Sequence, residues 1–368
     1  MTTIPRNILL SLLMVGTSTA FTPTIINNVG VARTIIPAIF LSSDASNSNY
    51  VSSLSSSSLS VERSSSTTTT AQTTNDYLNS LSSSSSSSSL VGQPVTAAGT
   101  TTTHLNSSSA RKPIVGGNWK CNPTSAADLS TLVQNFAGCA PYLDHCDVYV
   151  CPSNLHVSIV KDAFIDGIAV APQNCNFGGC GAYTGEMAVD QIKDLGMNTV
   201  LIGHSERRGE FNLPTPAESN PLLATKLQYI LDQGMRCIFC IGEPLPVREQ
   251  GIAAVLAECV SQLTDIVPIL QGLDDKSRVV IAYEPVWAIG TGVTASPAEA
   301  QETHAAIRQW IATNVDQHTA DAIRIQYGGS ANAANAPELS ACPDIDGFLV
   351  GGASLKPEIV DIVAAIAK

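Results

Sequence analysis

From residue 111 onward, short apolar runs rich in β-branched residues alternate with longer stretches of helical periodicity. The runs are IVGGNW at 114–119, DVYVCP at 147–152, IAVAPQN at 168–174, TVLIGH at 199–204, RCIFCIG at 236–242, VVIAYEP at 279–285, IRIQYGG at 323–329 and FLVGG at 348–352. Runs this short and this continuously apolar predict strands covered on both faces. Between them lie amphipathic stretches such as NPLLATKLQYILDQG and SPAEAQETHAAIRQWIATNV. Asn or Ser followed by Pro in the first turn marks their helical starts. Strands alternating with helices predict parallel pairing through right-handed crossovers. Eight such units of about thirty residues predict a closed (β/α)₈ barrel. An open doubly wound sheet is the alternative, disfavoured because no G-x-G-x-x-G follows the first strand.

The first 110 residues follow neither period. They are dominated by Ser and Thr, with eight consecutive serines at 82–89, and hold six charged residues, three of each sign. Such a segment cannot bury enough apolar surface to offset its chain entropy. Within it, Arg6, the apolar stretch from Ile8 to Val15 and the small residues TSTA form a signal-like segment over 1–20, with a cleavage position near Ala20 and Phe21. The apolar stretch is too short to span a membrane comfortably. Residues 21–110 are hydroxyl-rich and poor in acids, as transit peptides are. The pair resembles the two-part presequences of algae with secondary plastids. The expectation is therefore plastid import, with mitochondrion, secretion or an unaddressed disordered tail as alternatives. The catalytic domain is expected at 111–368.

The net charge of −12 lies wholly in residues 111–368. This argues against nucleic acid or an anionic membrane as a partner. An anionic small molecule would need cations or helix N-termini placed locally. All ten cysteines follow residue 120, and none forms paired zinc-type clusters. Cys237 and Cys240 read C-x-x-C, but in a strand residues three apart face opposite sides and cannot share a metal or a disulfide. Buried reduced thiols are the expectation.

Polar residues gather where the apolar runs end, and in a barrel the carboxyl ends of strands carry the site. Asn118 and Lys120 close the first run two apart, so they are expected on one face, with Trp119 on the other. An Asn and a Lys at the barrel mouth could hold an oxyanion, although a lone Lys there is more often a solvated charge. His204 ends the fourth run before Ser205-Glu206, which reads as a helix start. An imidazole against a helix N-terminus tends to stay neutral and to donate a hydrogen bond. Glu284 ends the sixth run, beside apolar Val286, Trp287 and Ile289, where a carboxylate can serve as a base. The stretch from Pro285 to Gly292 combines a stiff start with glycines, as a hinged lid that excludes water would. Ser330 after Gly328-Gly329, and Gly351-Gly352 after the eighth run, lie where barrels commonly bind phosphate through backbone N–H groups. Together these groups form an inventory for moving a proton next to a carbonyl.

The motifs GGNWKCN, NCNFGGCGAYTGE, IGHSERR, CIGE, AYEPVWAIGTG, YGGS and FLVGGASLKPE, spread from residue 113 to the end, resemble those of the triosephosphate isomerases. The resemblance implies a TIM barrel that interconverts dihydroxyacetone phosphate and glyceraldehyde 3-phosphate. It implies Glu284 as base, His204 as electrophile, and Lys120 and Asn118 on the developing oxyanion. Glu206 would orient this group. Gly290, Ser330, Gly351 and Gly352 would bind the phosphate, and no cofactor or metal is implied. The GAYTGE loop would bring Thr184 to a second subunit's site in a homodimer. Two places depart from the family pattern. Val293 stands where many relatives carry Lys, and GEFNLPTPAESNPLLATK is a few residues longer and lacks the FGE-S-D-E motif. The rival readings are another phosphate-binding barrel enzyme, such as a sugar-phosphate epimerase, and an inactive barrel acting as a scaffold.

Overall fold

The computed structural model describes residues 111–209, 217–290 and 294–367. The signal-like and transit-like segments, Gly292 and Val293 lie outside the described residues. The eight expected strands are all present: β1 (Ile114–Asn118), β2 (Asp147–Cys151), β3 (Ile168–Val170), β4 (Thr199–Ile202), β5 (Arg236–Ile241), β6 (Val279–Tyr283), β7 (Arg324–Tyr327) and β8 (Gly347–Val350). All seven ladders are parallel, in the order β3-β2-β1-β8-β7-β6-β5-β4. The two strands left at the ends of that order are consecutive in the chain. Leu201 N–H donates to Pro172 O across them at 2.9 Å. The sheet therefore closes, with the first strand beside the last, and the fold is a TIM barrel rather than an open sheet.

Alternation along each strand separates two apolar layers. Val148 and Val150 face the helices while Tyr149 and Cys151 fill the barrel. On β5, Cys237 faces outward and Cys240 inward, and both are buried free thiols, as expected. Burial pushes both thiols well above their ordinary range. The third run predicts strand to residue 174, but β3 stops at Val170. Pro172 has no N–H to continue a ladder. The chain turns there, and Gln173 directs its side chain inward instead.

The barrel interior is closed below the mouth. Arg324 Nη1 pairs with Asp147 Oδ2 at 2.7 Å, joining the first residues of β7 and β2. Above them Tyr149 OH donates to Gln326 Oε1 at 2.7 Å, and Gln326 Nε2 donates to the carbonyls of Ile114 and Phe348. A buried amide with its partners in place costs little and holds four strands in register.

Caps set the outer helices. Pro297–Asn314 starts with Ser296 and Glu299 in a reciprocal capping box. Asn220–Asp232 is capped by Ser219, one residue before the expected start. The long stretch after SERR is anchored on its far side. Glu218 is buried and its Oε1 accepts from Arg207 Nε at 2.6 Å, Lys226 Nζ at 3.1 Å and Asn174 Nδ2 at 3.1 Å. Residues 210–216 between them lie outside the described residues. The apolar stretch Ile252–Gly272 has a mean hydropathy of 1.6. It packs Val255, Leu256, Cys259 and Leu263 into the layer against the strands, as a core helix does.

His304 on Pro297–Asn314 is fully buried, edge-on to Tyr283, with Nδ1 donating to Ala300 O at 2.7 Å. Burial pulls its pKa from the ordinary 6.5 to about 4. The ring is thus neutral when folded, whereas the unfolded chain takes up a proton near 6.5. Its contribution is intact above that value and is lost as pH falls toward 4. Urea titrations of wild type and His304→Gln are expected to differ in slope. From pH ~7 to ~4.5 the wild type should lose about 2–3 kcal/mol more than the variant. Parallel losses would show that this ring does not carry the effect.

Candidate active site

At the carboxyl rim a cavity of about 610 Å³ is lined by Asn118, Lys120, His204, Glu284, Gly290, Ser330, Gly351 and Gly352. These eight residues come from the ends of β1, β4, β6, β7 and β8 and the segment after β6. Their separation in sequence is removed by closure alone.

Glu284 continues the inward positions Val280 and Ala282 of β6 and is 2 % exposed. Its Oε1 lies 3.1 Å from His204 Nε2, and its Oε2 accepts from Ser205 N–H at 3.0 Å. Glycines make room for it. A Cβ at Gly242 would sit 1.7 Å from Glu284 O, and one at Gly328 would sit 2.8 Å from Glu284 Cγ. The carboxylate is confined to a slot whose open side is the cavity.

His204 caps the single turn Ser205–Arg208, and its Nδ1 accepts from Glu206 N–H at 3.1 Å. A backbone N–H only donates, so Nδ1 cannot carry a proton in this arrangement. The ring proton therefore sits on Nε2 and points at Glu284. The helix start expected at Ser205-Glu206 is present, and it fixes the tautomer through one N–H.

Asn118 and Lys120 both reach the cavity, but not as neighbours on one strand face. Lys120 lies beyond the end of β1 at φ +53°, a conformation that costs a side-chain-bearing residue about 1 kcal/mol. Gln173 holds it there, donating from Nε2 to Lys120 O at 2.8 Å and to Cys151 O at 2.9 Å. Lys120 N–H donates to Asn118 Oδ1 at 3.1 Å, which leaves the Asn118 amide nitrogen as the group to meet a ligand. Trp119 turns outward into the helix layer, as expected. Lys120 Nζ pairs with Glu206 Oε1 at 2.6 Å, both about one-third exposed. Glu206 thus touches the site twice, by its carboxylate on Lys120 and by its N–H on His204.

The other end of the cavity is bare backbone. A Cβ at Gly351 or Gly352 would meet nothing within 4 Å, so there is room for a group that approaches the main chain. Ser330 Oγ donates to Ala288 O at 2.6 Å, tying the loop after β7 to the stretch after β6. Gly290 lies on the rim at φ +69°. Thr184 is exposed on the loop between β3 and β4 and is not among the residues lining the cavity.

Several contributors were not legible in the sequence. Gln173 and Ser205 act across the barrel and carry no local signal. Lys356 lines the rim beside Gly351 and Gly352, its Nζ 3.7 Å from Glu358 Oε1. Glu243 of the CIGE motif is fully buried and accepts from Trp287 Nε1 at 2.9 Å and Tyr283 OH at 3.0 Å. Burial raises its pKa, against the lowering effect of those two bonds. It anchors the start of the stretch read as a lid. An acidic residue directly after an apolar strand was the available signal.

The arrangement pairs a confined carboxylate with an imidazole N–H and places a cation nearby, facing a cavity with a main-chain-lined end. Such groups can remove a proton from carbon, hydrogen-bond the oxygen that gains charge, and hold an anionic tail. The profile of the family described as Triosephosphate isomerase matches residues 113–366. The chain is 46 % identical over 257 residues to a triosephosphate isomerase of Coprinopsis cinerea, spanning 69 % of this chain and 98 % of that protein. It is 44 % identical over 255 residues to that of Taenia solium, with shares of 69 % and 98 %. It is 43 % identical over 258 residues to a protein of Oryza sativa named as the cytosolic triosephosphate isomerase, with shares of 69 % and 96 %.

Proposed function

Because this chain belongs to the triosephosphate isomerase family and is an isomerase, we propose that it interconverts dihydroxyacetone phosphate and glyceraldehyde 3-phosphate through an enediolate, with Glu284 as base and His204 as electrophile. The observation that carries this reading is the contact of 3.1 Å between Glu284 Oε1 and His204 Nε2 at the mouth of one cavity.

Glu284 takes a proton from carbon 1 of dihydroxyacetone phosphate. The electron pair of that C–H bond forms the C1–C2 double bond, and the carbonyl pair moves onto O2. His204 Nε2–H, Lys120 and the Asn118 amide meet O2 as charge grows there. His204 then gives its proton to O2 and takes one from O1. Glu284 returns its proton to carbon 2 as the C1–O1 double bond forms. The same two groups thus serve both directions, and no redox partner is needed. Glu206 orients Lys120 and holds the His204 tautomer. Gly290, Ser330, Gly351 and Gly352 receive the phosphate, mainly by backbone N–H groups. The bonds now tying Glu284 to Ser205 N–H and His204 are exchanged for substrate when it enters.

The exposed apolar side chains support a homodimer. Leu155 is 84 % exposed, Ile159 57 %, Phe177 47 % and Tyr183 40 %. Phe177 and Tyr183 stack edge-on, with ring centroids 5.8 Å apart, in the loop that bears Thr184. An exposed aromatic pair on a protruding loop is the kind of surface that a partner subunit can cover. In this reading Thr184 reaches the partner's site. Sedimentation equilibrium is expected to give twice the chain mass, and a monomer at micromolar concentration would reject this arrangement.

The Ser/Thr-rich segment before residue 111 supports import into a plastid of secondary origin, with mitochondrion as the alternative. The family match beginning at residue 113 leaves that segment outside the family's own sequence. There the enzyme would serve carbon fixation as well as glycolysis and gluconeogenesis. A fusion of residues 1–110 to a fluorescent protein is expected to reach the plastid, and cytosolic retention would remove the assignment.

The reaction is tested with the full chain in a coupled assay on glyceraldehyde 3-phosphate. Wild type is expected to turn over. Glu284→Gln should keep its circular dichroism spectrum and lose at least the ~10²–10⁴-fold that a general base contributes. A folded variant with near-normal turnover would remove Glu284 from its role.

A further inference from the structure

Arg208 ends the IGHSERR motif and has no part in the proton transfers. It closes the turn Ser205–Arg208 and folds back beneath it. Its Nε donates to Gly203 O at 2.7 Å, its Nη2 to Cys240 O at 2.9 Å, and its Nη1 to Asn220 Oδ1 at 2.7 Å. The guanidinium also lies over the Phe239 ring, 5.7 Å from its centroid. Three donors of one planar fork thus grip the end of β4, the end of β5 and the first turn of Asn220–Asp232.

The turn needs such a grip. Four residues form too little helix to be stable unaided. Its internal bonds to His204 O come from Arg207 N–H and Arg208 N–H at 2.7 and 3.2 Å. Yet this turn supplies both N–H groups that organise the reacting pair: Ser205 to Glu284, and Glu206 to His204. Immediately before His204, Gly203 adopts φ +74°, and a Cβ there would meet Arg208 Nη2 and Cys240 O, each at 3.0 Å. The guanidinium fills the space that Gly203 leaves open. The charges acting on Arg208 are those of Glu284, Glu218 and Glu258. Those facing His204 are Glu284 across the mouth and Glu206 on its own turn, with Lys120 beyond Glu206.

We propose that Arg208 is a positioning residue: its fork locks the 205–208 turn onto β4 and β5, so that two backbone N–H groups hold the Glu284 carboxylate and the Nε2–H tautomer of His204. The inference rests on the assignment of Glu284 and His204 as the reacting pair. Arg208 itself never touches substrate. A lysine at this position keeps the charge but cannot reach three acceptors in one plane.

The test uses the full chain with ring-¹⁵N-labelled histidine, the His204 signals being identified by their loss in His204→Gln. Wild type is expected to show one tautomer, with Nδ1 unprotonated. Arg208→Lys and Arg208→Gln should show a mixture of tautomers, with kcat lowered by as much as ~10²-fold, the scale of an ångström's misplacement, and KM little changed. Asn220→Ala removes one of the three attachments and should move both readouts the same way by less. If the Arg208 variants do not fold, Asn220→Ala decides. Folded variants that keep the wild-type ring signals, with activity falling only as melting temperature falls, would overturn the proposal and leave the pair's assignment standing. A wild type with a single His204 tautomer but no isomerase turnover would instead reject the reaction.

Discussion

A parallel sheet that closes on itself must bring all its carboxyl ends to one rim. Here the closing link is the bond from Leu201 N–H to Pro172 O between two strands that no ladder joins. Every group at the cavity inherits its position from that geometry. Glu284 takes the next inward position after Val280 and Ala282, one residue past β6, and it has room because Gly242 and Gly328, directly after β5 and β7, lie against its backbone and its side chain. A larger residue at either neighbour would have to displace backbone or the carboxylate itself. Strand register, rather than any local motif, therefore sets where the Glu284 carboxylate stands.

For an acidic chain, the anionic substrate proposed above poses an electrostatic conflict that groups at the rim can answer locally. Lys120 is pinned by Glu206 close to His204, while the far end of the cavity presents main chain with open space over two glycines. Backbone N–H groups attract an anion without adding a charge that the resting site would have to neutralise. The same economy governs His204. One backbone N–H excludes a proton from Nδ1, and the Glu206 carboxylate 3.6 Å away on that side is itself engaged by Lys120.

Much of this was legible in the sequence because it follows from local chemistry. Strands buried on both faces give continuous apolar runs, and Ser296 with Pro297 and Glu299 announces a helix start. The residues at strand ends could be picked out because polar groups interrupt those runs. Other features were out of reach. The pairing of Asn118 with Lys120 was expected from a strand's two-residue period. It is achieved instead by a left-handed residue that Gln173 holds from 53 positions away. Ser205 serves Glu284 across 79 positions, and a backbone N–H leaves no trace in side-chain patterns. The role expected of Thr184 involves a second chain, which the patterns within one chain do not encode. Just past the longer segment, the buried Glu218 carboxylate gathers three donors, one of them Asn174 from 44 positions away.

The layers beneath the mouth have a kinetic corollary. With the Arg324–Asp147 pair and the Tyr149–Gln326 brace stoppering the axis, the barrel is a cup rather than a conduit. A molecule held in the cup must then leave by the doorway it entered, and a newcomer cannot push it out from behind. Any small solute that lodges at the rim blocks arrival and departure alike, so competition for the doorway is built into the architecture.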